Sequence, residues 1–207
     1  RLWQNRNSSY LAEKEIELRD WFENNTKDIA IFDLIQTGYK TQIIKEGTEV
    51  DFQETFGRGL RKGIQSILIQ DPYLRNQHQL FCLDQVLGVI HSFVEDGPVE
   101  LKLTTKLSNQ ENDRYAFAAG EHRGKIEELF ARYPGFELKL DMRGFRDMVH
   151  ARFIFIVGPE DKEKLFYLDR GIDIIEPRSG KARGCPILEF DQPQTGLKAA
   201  LSIEHRV

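Results

Sequence analysis

Cysteine is scarce in this sequence. Its two cysteines, Cys82 and Cys185, lie about a hundred residues apart, and neither belongs to a Cys-x-x-Cys pair. Isolated thiols argue against a zinc knuckle and against a disulfide framework, so we expect no metal site and no cofactor. Two unpaired thiols also fit a reducing compartment, which predicts a cytoplasmic protein.

An excess of basic residues is also lacking. Lys and Arg number 29 against 33 Asp and Glu, for a formal net charge of -4. Dedicated nucleic-acid-binding domains usually carry a basic excess, so nucleic acid is a disfavoured partner and any polyanion site must be local. Peripheral association with membranes stays open, but it requires a concentrated basic face. The basic candidates for such a face lie within residues 58–62 and 178–183.

Long apolar runs are absent as well, because none approaches the roughly 20 residues that a membrane span requires. The chain begins at Arg1 rather than Met, so we expect a piece of a longer protein with a partner domain upstream. Residues 1–37 are predicted to be a helical linker or accessory segment, and residues 38–207 to form the main domain.

Short apolar strands alternate with helical stripes from residue 39 onward. Strands are predicted over 39–45, 64–69, 99–104, 136–140, 149–157 and 165–175, and helices over 52–60, 79–94 and 126–130. This alternation predicts an α/β sheet with helices packed on its faces. The loop 158–161 is too short for a crossover helix, so the last two strands are expected to form an antiparallel hairpin.

A first polar cluster follows the predicted strand 64–69 and leads into the next helix. It contains Asp71, Tyr73, Arg75 and His78. Ligand sites in open α/β sheets gather at such strand ends, and a helix N-terminus favours an anion. Arg75 and His78 are therefore candidate phosphate-binding residues, which Asp71 and Tyr73 are predicted to support.

Two further clusters lie in the predicted hairpin. His150 and Arg152 are two residues apart on one strand, so their side chains are expected to point to the same face. An imidazole beside a guanidinium in an apolar strand is costly unless an anion receives them. Arg170 and Asp173 lie in the next strand, where Arg170 is expected to approach this pair. His150, Arg152 and Arg170 therefore join the predicted phosphate-binding set, with Asp173 as support.

Each cluster alone also has a structural interpretation. His78 fits a solvated or capping residue, and the segment 71–73 fits a turn. Arg152 could pair with Asp169 or Asp173. On that interpretation the chain is a dimerisation or adaptor domain. The case for a ligand site rests on the conjunction of two histidines and three arginines at the strand ends of one sheet.

The order of these motifs resembles the C-terminal phospholipase D-like domain of the MIT-domain-containing proteins that work with ESCRT-III in cytokinesis. The most specific element is the stretch Asp71-Pro-Tyr-x-Arg-x-x-His-Gln-Leu80. The strand 39–46, His150-x-Arg152 and Arg170-Gly-x-Asp173 support the resemblance by their order and spacing. It covers about four fifths of the chain.

The resemblance implies a phospholipase D-like mixed β-sheet with helices packed on both faces. It also implies a homodimer, and association with membranes through acidic phospholipid headgroups. The expected ligand is accordingly a phosphate-bearing group or an anionic membrane surface.

The sequence departs from the signature of the active phospholipases D. Those enzymes use His-x-Lys, then an Asp five residues after the Lys, then a Gly-Ser pair. Here Arg152 replaces the Lys, Val157 stands at the Asp position, and no Gly-Ser pair follows nearby. In the active enzymes one His attacks phosphorus and another protonates the leaving group, and Arg is not a conservative substitute for Lys.

We therefore expect a non-catalytic module that binds a phosphate-bearing ligand and dimerises. The alternative is a phosphodiesterase or nuclease of the same superfamily. In that case His150 would be the nucleophile, in a site shared across the dimer.

Overall fold

The computed structural model describes residues 39–95, 97–107, 115–144 and 151–203. The chain divides into two compact units, of which the larger is Tyr39–Pro193. The described part of the other unit holds one short helix, α3 (Thr195–Ala200). The predicted linker over 1–37 and His150 both lie outside the described residues.

The larger unit is a mixed α/β structure, as predicted. The α-helices among its described residues are α1 (Gln77–His91) and α2 (Ala119–Phe130). Its strands form one sheet in the order β1-β7-β6-β5-β2-β3-β4. The strand bounds are β1 Tyr39–Ile44, β2 Ser66–Gln70, β3 Val99–Lys106, β4 Phe136–Arg143, β5 Phe153–Val157, β6 Glu163–Leu168 and β7 Cys185–Asp191.

The sheet has a parallel half and an antiparallel half. β2, β3 and β4 are parallel neighbours, joined by α1 and α2 as crossover helices. Such crossovers are right-handed almost without exception, which places both helices on the same face. β5 and β6 form the predicted antiparallel hairpin, and β7 and β1 continue the antiparallel half.

The main apolar core lies between this sheet and its helices. Leu83, Leu87 and Ile126 of the helices pack in one cluster with apolar strand residues such as Ile69 and Leu103. Phe153 and Phe155 of β5 point to the opposite face of the sheet from Ile154 and Ile156, and they are buried too. No helix among the described residues combines the length and apolarity needed to cross a membrane.

The strand directions bring four chain segments to one edge of the sheet. β2 and β3 run in parallel, β5 runs against β2, and β6 runs against β5. The carboxyl ends of β2, β3 and β6 therefore meet the amino end of β5. We call this side the upper edge, and three of the predicted polar clusters border it.

Several predicted elements differ from the structure. The helix predicted over 52–60 is a single π-helical turn, Gln53–Gly57, because the backbone leaves helical geometry at Arg58, whose ψ is 121°. Gly59 follows with a positive φ of 77°. Strand β7 has no predicted counterpart.

The predicted hairpin strands are also too long at the upper edge. β5 begins at Phe153, so Arg152 lies just before the strand rather than within it. β6 ends at Leu168, and Arg170 and Asp173 lie in the turn that follows. The cause is Gly171, whose φ of 75° is incompatible with an extended strand.

Candidate functional site

Asp71 connects two turns at the upper edge through hydrogen bonds. It directly follows β2, and its side chain is 2% exposed. Its carboxylate accepts hydrogen bonds from the backbone N–H of Tyr73 at 2.9 Å and from that of Ile172 at 2.7 Å. Burial raises the pKa of Asp71, while these two hydrogen bonds and the charge of Arg152 act in the opposite direction. Asp71 therefore fixes the turn after β2 against the turn after β6.

Gly171 permits this close approach. A Cβ atom at this position would lie 2.3 Å from Oδ2 of Asp71 and 2.9 Å from Cδ of Arg152. Real Cβ atoms do not come this near to other heavy atoms, and the positive φ adds a second cost for any side chain. The backbone at Gly171 is thus packed directly against Asp71 and Arg152.

Three cationic side chains surround the ring of Tyr73. The guanidinium carbons of Arg152 and Arg75 lie 4.7 and 5.2 Å from the ring centroid, and Nζ of Lys106 lies 5.9 Å from it. They come from the start of β5, the turn after β2 and the end of β3. We call Tyr73, Arg75, Lys106 and Arg152 the Tyr73 cluster.

The Tyr73 cluster concentrates positive charge in a half-buried place. Its two guanidinium carbons are at most about 10 Å apart, because both lie close to one ring. At an effective dielectric constant of about 20, two unit charges at that separation repel by about 1.7 kcal/mol. Cation–π contacts return roughly 0.5–1 kcal/mol each at exposed sites. The two guanidinium contacts thus return about as much as this repulsion, and an anion with several oxygens would add attraction to both charges.

Arg152 has donor capacity that the described residues leave unused. Its Nη1 donates to the backbone carbonyl of Asp169. Its Nε is buried and has no acceptor among the described residues. A buried donor without a partner is costly, and an oxygen acceptor brought to this atom would remove that cost.

The N-terminus of α1 is capped by side chains of the same segment. Asn76 Oδ1 accepts from the Gln79 N–H at 3.0 Å, and Gln79 Oε1 accepts from the N–H groups of Arg75 and Asn76. This capping box satisfies donors that a free helix N-terminus would offer to an anion. The anion-binding potential of this segment therefore lies in the Arg75 side chain rather than in the helix end.

His78 takes part in a different group of contacts. Its Nε2 lies 2.7 Å from the backbone carbonyl of Ile175, 3.1 Å from Oδ1 of Asp173 and 3.7 Å from Sγ of Cys82. We call His78, Cys82 and Asp173 the His78 cluster. Burial raises the pKa of the Cys82 thiol to about 12, and the charge of Asp173 acts in the same direction.

The structure thus divides the predicted site residues into groups. Arg75 and Arg152 meet at Tyr73, whereas His78 meets Asp173. Arg170 is exposed, and its charge acts on Cys185, where it opposes the effect of burial, which raises the pKa of that thiol to about 11.

Lys106 of the Tyr73 cluster and His122, whose pKa the charge of Arg75 affects, were not predicted from the sequence. Lys106 is 2% exposed and ends β3 beside β2, so the rule that ligand sites follow strand ends would have found it. His122 of α2 is fully buried, and its Nε2 bonds the carbonyl of Leu74 at 2.5 Å. Burial lowers the pKa of His122, and the charge of Arg75 adds to the effect. No sequence signal marks His122, because it lies within a helix.

One family of known proteins matches most of the larger unit. Residues 49–184, well over half of the chain, match the family described as the phospholipase D-like domain at the C-terminus of MIT. The match includes every residue of both clusters. No curated protein sequence shows significant similarity to the chain.

Among solved structures, the chain is similar to yeast tyrosyl-DNA phosphodiesterase. The sequence identity is 11% and the TM-score 0.40, over 73% of this chain and 31% of that enzyme. A single-residue variant of the same enzyme gives 10% identity and a TM-score of 0.41, over 73% and 32% of the two chains. The chain thus spans about a third of these enzymes.

Proposed function

The chain belongs to the family of phospholipase D-like domains at the C-terminus of MIT, and we propose that it binds a phosphate-bearing ligand, such as an acidic lipid headgroup, at the Tyr73 cluster. The observation that supports this most is the convergence of Arg75, Lys106 and Arg152 on one ring. These cations come from three separate segments of the upper edge, so the fold rather than local sequence assembles them.

The chemistry of the cluster suits a phosphate group. A guanidinium presents a planar fork of donors that matches two phosphate oxygens, and Lys106 adds a compact third charge. Hydrogen bonds to charged groups contribute about 1.5–3 kcal/mol each. The charge of Arg152 acts on the buried carboxylate of Asp71, which also accepts hydrogen bonds from the backbone N–H groups of Tyr73 and Ile172.

The residues at the positions of the catalytic signature favour binding of a phosphate group without hydrolysis. Arg152 stands where the active enzymes have Lys. Val157, at the position of their orienting Asp, is the last residue of β5 and is 9% exposed. A valine can neither orient a histidine nor accept its proton. The proposed module therefore holds the phosphate group without cleaving its ester.

Sedimentation with lipid vesicles tests the binding. Phosphatidylcholine vesicles with and without phosphatidic acid would be incubated with the wild type, with Arg152→Gln and with Lys106→Gln. The matched control is Lys125→Gln, which removes an exposed lysine of α2 that pairs with Glu128 three residues away. We expect both cluster variants to lose binding to acidic vesicles and the control to keep it. Equal binding by all four proteins would refute the proposal.

Two further measurements separate the alternatives. Inorganic phosphate should raise the melting temperature of the wild type but not of Arg152→Gln, because a ligand of the folded state stabilises it. Hydrolysis of bis(4-nitrophenyl) phosphate and of DNA would be compared between the wild type and His150→Ala. Turnover that depends on His150 would replace the binding module with a phosphodiesterase.

We also propose that the module is a homodimer joined through β4. This strand ends the order of described strands, and its residues from Phe136 to Arg143 alternate between apolar and charged side chains. Phe136, Leu138 and Leu140 of this strand line a surface cavity of about 310 Å³ together with Phe130 of α2. A strand with this exposed edge is a template for pairing with another strand.

The charges of β4 are complementary to a second copy of the same strand. In an antiparallel pair centred on Leu140, Lys139 faces Asp141 of the second copy, and Glu137 faces Arg143. Centring the pair one residue earlier would oppose Lys139 to itself and Glu137 to Asp141. Opposite charges in facing positions stabilise a strand pair and like charges destabilise it. Of these two registers, the pattern therefore favours the one centred on Leu140.

A charge swap tests this interface. Lys139→Glu and Asp141→Lys should each lower the dimer fraction in analytical ultracentrifugation, because each places like charges opposite one another. The double variant restores the opposite charges and should restore the dimer. A melting curve of each variant controls for the loss of the Lys139–Glu100 contact within the chain. An unchanged dimer fraction in both single variants, or a monomeric wild type, would refute this interface.

A further inference from the structure

The His78 cluster combines three side chains of the types that bind transition metals. His78 and Cys82 are four residues apart on α1, so they share one face of the helix. Asp173 approaches them from the turn after β6. The three ligand atoms, Nε2, Sγ and Oδ1, all lie within 4.8 Å of one another.

The spacing matches a tetrahedral metal ion. Zinc bonds to sulfur at about 2.3 Å and to nitrogen or oxygen at about 2.0–2.2 Å. At the tetrahedral angle those bonds separate sulfur from nitrogen by about 3.6 Å and nitrogen from oxygen by about 3.4 Å. The observed separations are 3.7 Å from Sγ to Nε2 and 3.1 Å from Nε2 to Oδ1. These two separations match an ion to within a few tenths of an ångström, and the third, from Sγ to Oδ1, is within 4.8 Å.

An unsatisfied atom points to the same conclusion. Oδ1 of Asp173 is buried, and it accepts no well-directed hydrogen bond from the described residues, although Nε2 of His78 lies 3.1 Å away. A carboxylate oxygen left so in a protein interior is destabilising. The other oxygen, Oδ2, lies 3.5 Å from Nη1 of Arg183. That contact orients the carboxylate and leaves Oδ1 directed at the His78 ring.

His78 can replace its hydrogen bond to the main chain with a bond to a metal ion. Without metal, Nε2 lies 2.7 Å from the Ile175 carbonyl, and metal binding would end that hydrogen bond. The carbonyl keeps a partner, because Nε of Arg183 also donates to it at 3.1 Å. The charge of Arg183 reduces the affinity for a cation, and the Asp173 carboxylate counteracts this.

We propose that His78, Cys82 and Asp173 form a site for a divalent transition-metal ion of the zinc type, with a fourth position open to water. His78 and Asp173 keep 22% and 20% of their side-chain surface exposed, which gives the ion a route of entry. The proposal goes beyond phosphate binding and does not depend on it, because none of the three residues belongs to the Tyr73 cluster. The spacing of the cysteines alone predicts no metal site, and this proposal differs from that prediction.

Calorimetric titration of the whole chain with zinc tests the site. After treatment with EDTA, the wild type should bind one Zn²⁺ per chain. Since loss of an outer-shell partner weakens metal binding by about 10–100-fold, loss of a direct ligand in Cys82→Ser or Asp173→Asn should weaken it at least about tenfold. Cys185→Ser, which changes the other buried cysteine, should bind as the wild type does.

Cobalt(II) supplies a spectroscopic readout that the wild type already gives by itself. Co²⁺ bound to a thiolate gives a sulfur-to-metal absorption band, expected in the wild type and in Cys185→Ser but absent from Cys82→Ser. Circular dichroism establishes that each variant is folded. If Cys82→Ser fails to fold, the wild-type band and the affinity of Asp173→Asn decide the question. Absence of a one-to-one complex in the wild type, or equal affinity in Cys82→Ser, would overturn the proposal.

Discussion

Replacement of Gly171 by alanine perturbs the contact on which the upper edge depends. The backbone here has a φ of 75°, and a Cβ would lie 2.3 Å from Oδ2 of Asp71. A residue other than glycine in this left-handed region costs about 1–2 kcal/mol. Displacement of Asp71 would also break its hydrogen bond from the Ile172 N–H, and a buried polar group left unsatisfied costs about 1–3 kcal/mol more. We expect Gly171→Ala to lower the free energy of unfolding by about 2–5 kcal/mol.

Gly47 offers a matched control. Its φ is 76°, but a Cβ there would meet no atom within 4 Å. Gly47→Ala therefore carries the backbone cost without the steric one, and should lower the free energy of unfolding by about 1–2 kcal/mol. Urea unfolding followed by far-ultraviolet circular dichroism measures both variants. If the two free energies agree within about 0.5 kcal/mol, the contact between Gly171 and Asp71 does not support the turn, and the reasoning is wrong.

The other predictions concern the groups around the Tyr73 cluster. Asp71→Asn should destabilise the protein by about 1–3 kcal/mol, because one of its two backbone donors then faces an amide NH₂. Because burial raises the pKa of Asp71, its contribution to stability falls as pH rises from the ordinary aspartate value through the raised one. Urea unfolding across that range should show this slope in the wild type and not in Asp71→Asn. Because burial lowers the pKa of His122, stability should be complete above pH 6.5, the usual histidine value, and fall below it. Melting curves from pH 8 to 5 should show this loss reduced in His122→Gln, and an equal loss in both proteins would assign it to other groups.

The central strands could be predicted because their side chains follow simple periods. The apolar run before Asp71 predicted β2, and the alternation from Val99 predicted β3, with bounds within a few residues of those observed. β7 escaped prediction because its pattern is interrupted by charge. Glu189 occupies a buried position of that strand and pairs with Lys164 of β6 at 2.5 Å. A prediction from sequence periodicity assigns charged residues to solvent-exposed positions, so it does not detect a buried ion pair of this kind.

The candidate site could be predicted only in part. Asp71, Tyr73, Arg75 and Arg152 all adjoin strand ends, and a strand-end rule finds them. The division between the Tyr73 cluster and the His78 cluster depends on how the turn after β6 folds. That turn is set by the hydrogen bond from the Ile172 N–H to Asp71, between residues 101 positions apart, which no local pattern encodes.

Titration of isotopically labelled protein with inorganic phosphate, followed by nuclear magnetic resonance, tests the central claim most directly. The side-chain Nε–H signals of Arg75 and Arg152 and the backbone amide of Tyr73 should shift together with a single dissociation constant. The signal of the exposed Arg58 should stay in place. Phosphate that shifts no signal of the Tyr73 cluster, or shifts exposed arginines to the same extent, would contradict an anion site at this edge of the sheet.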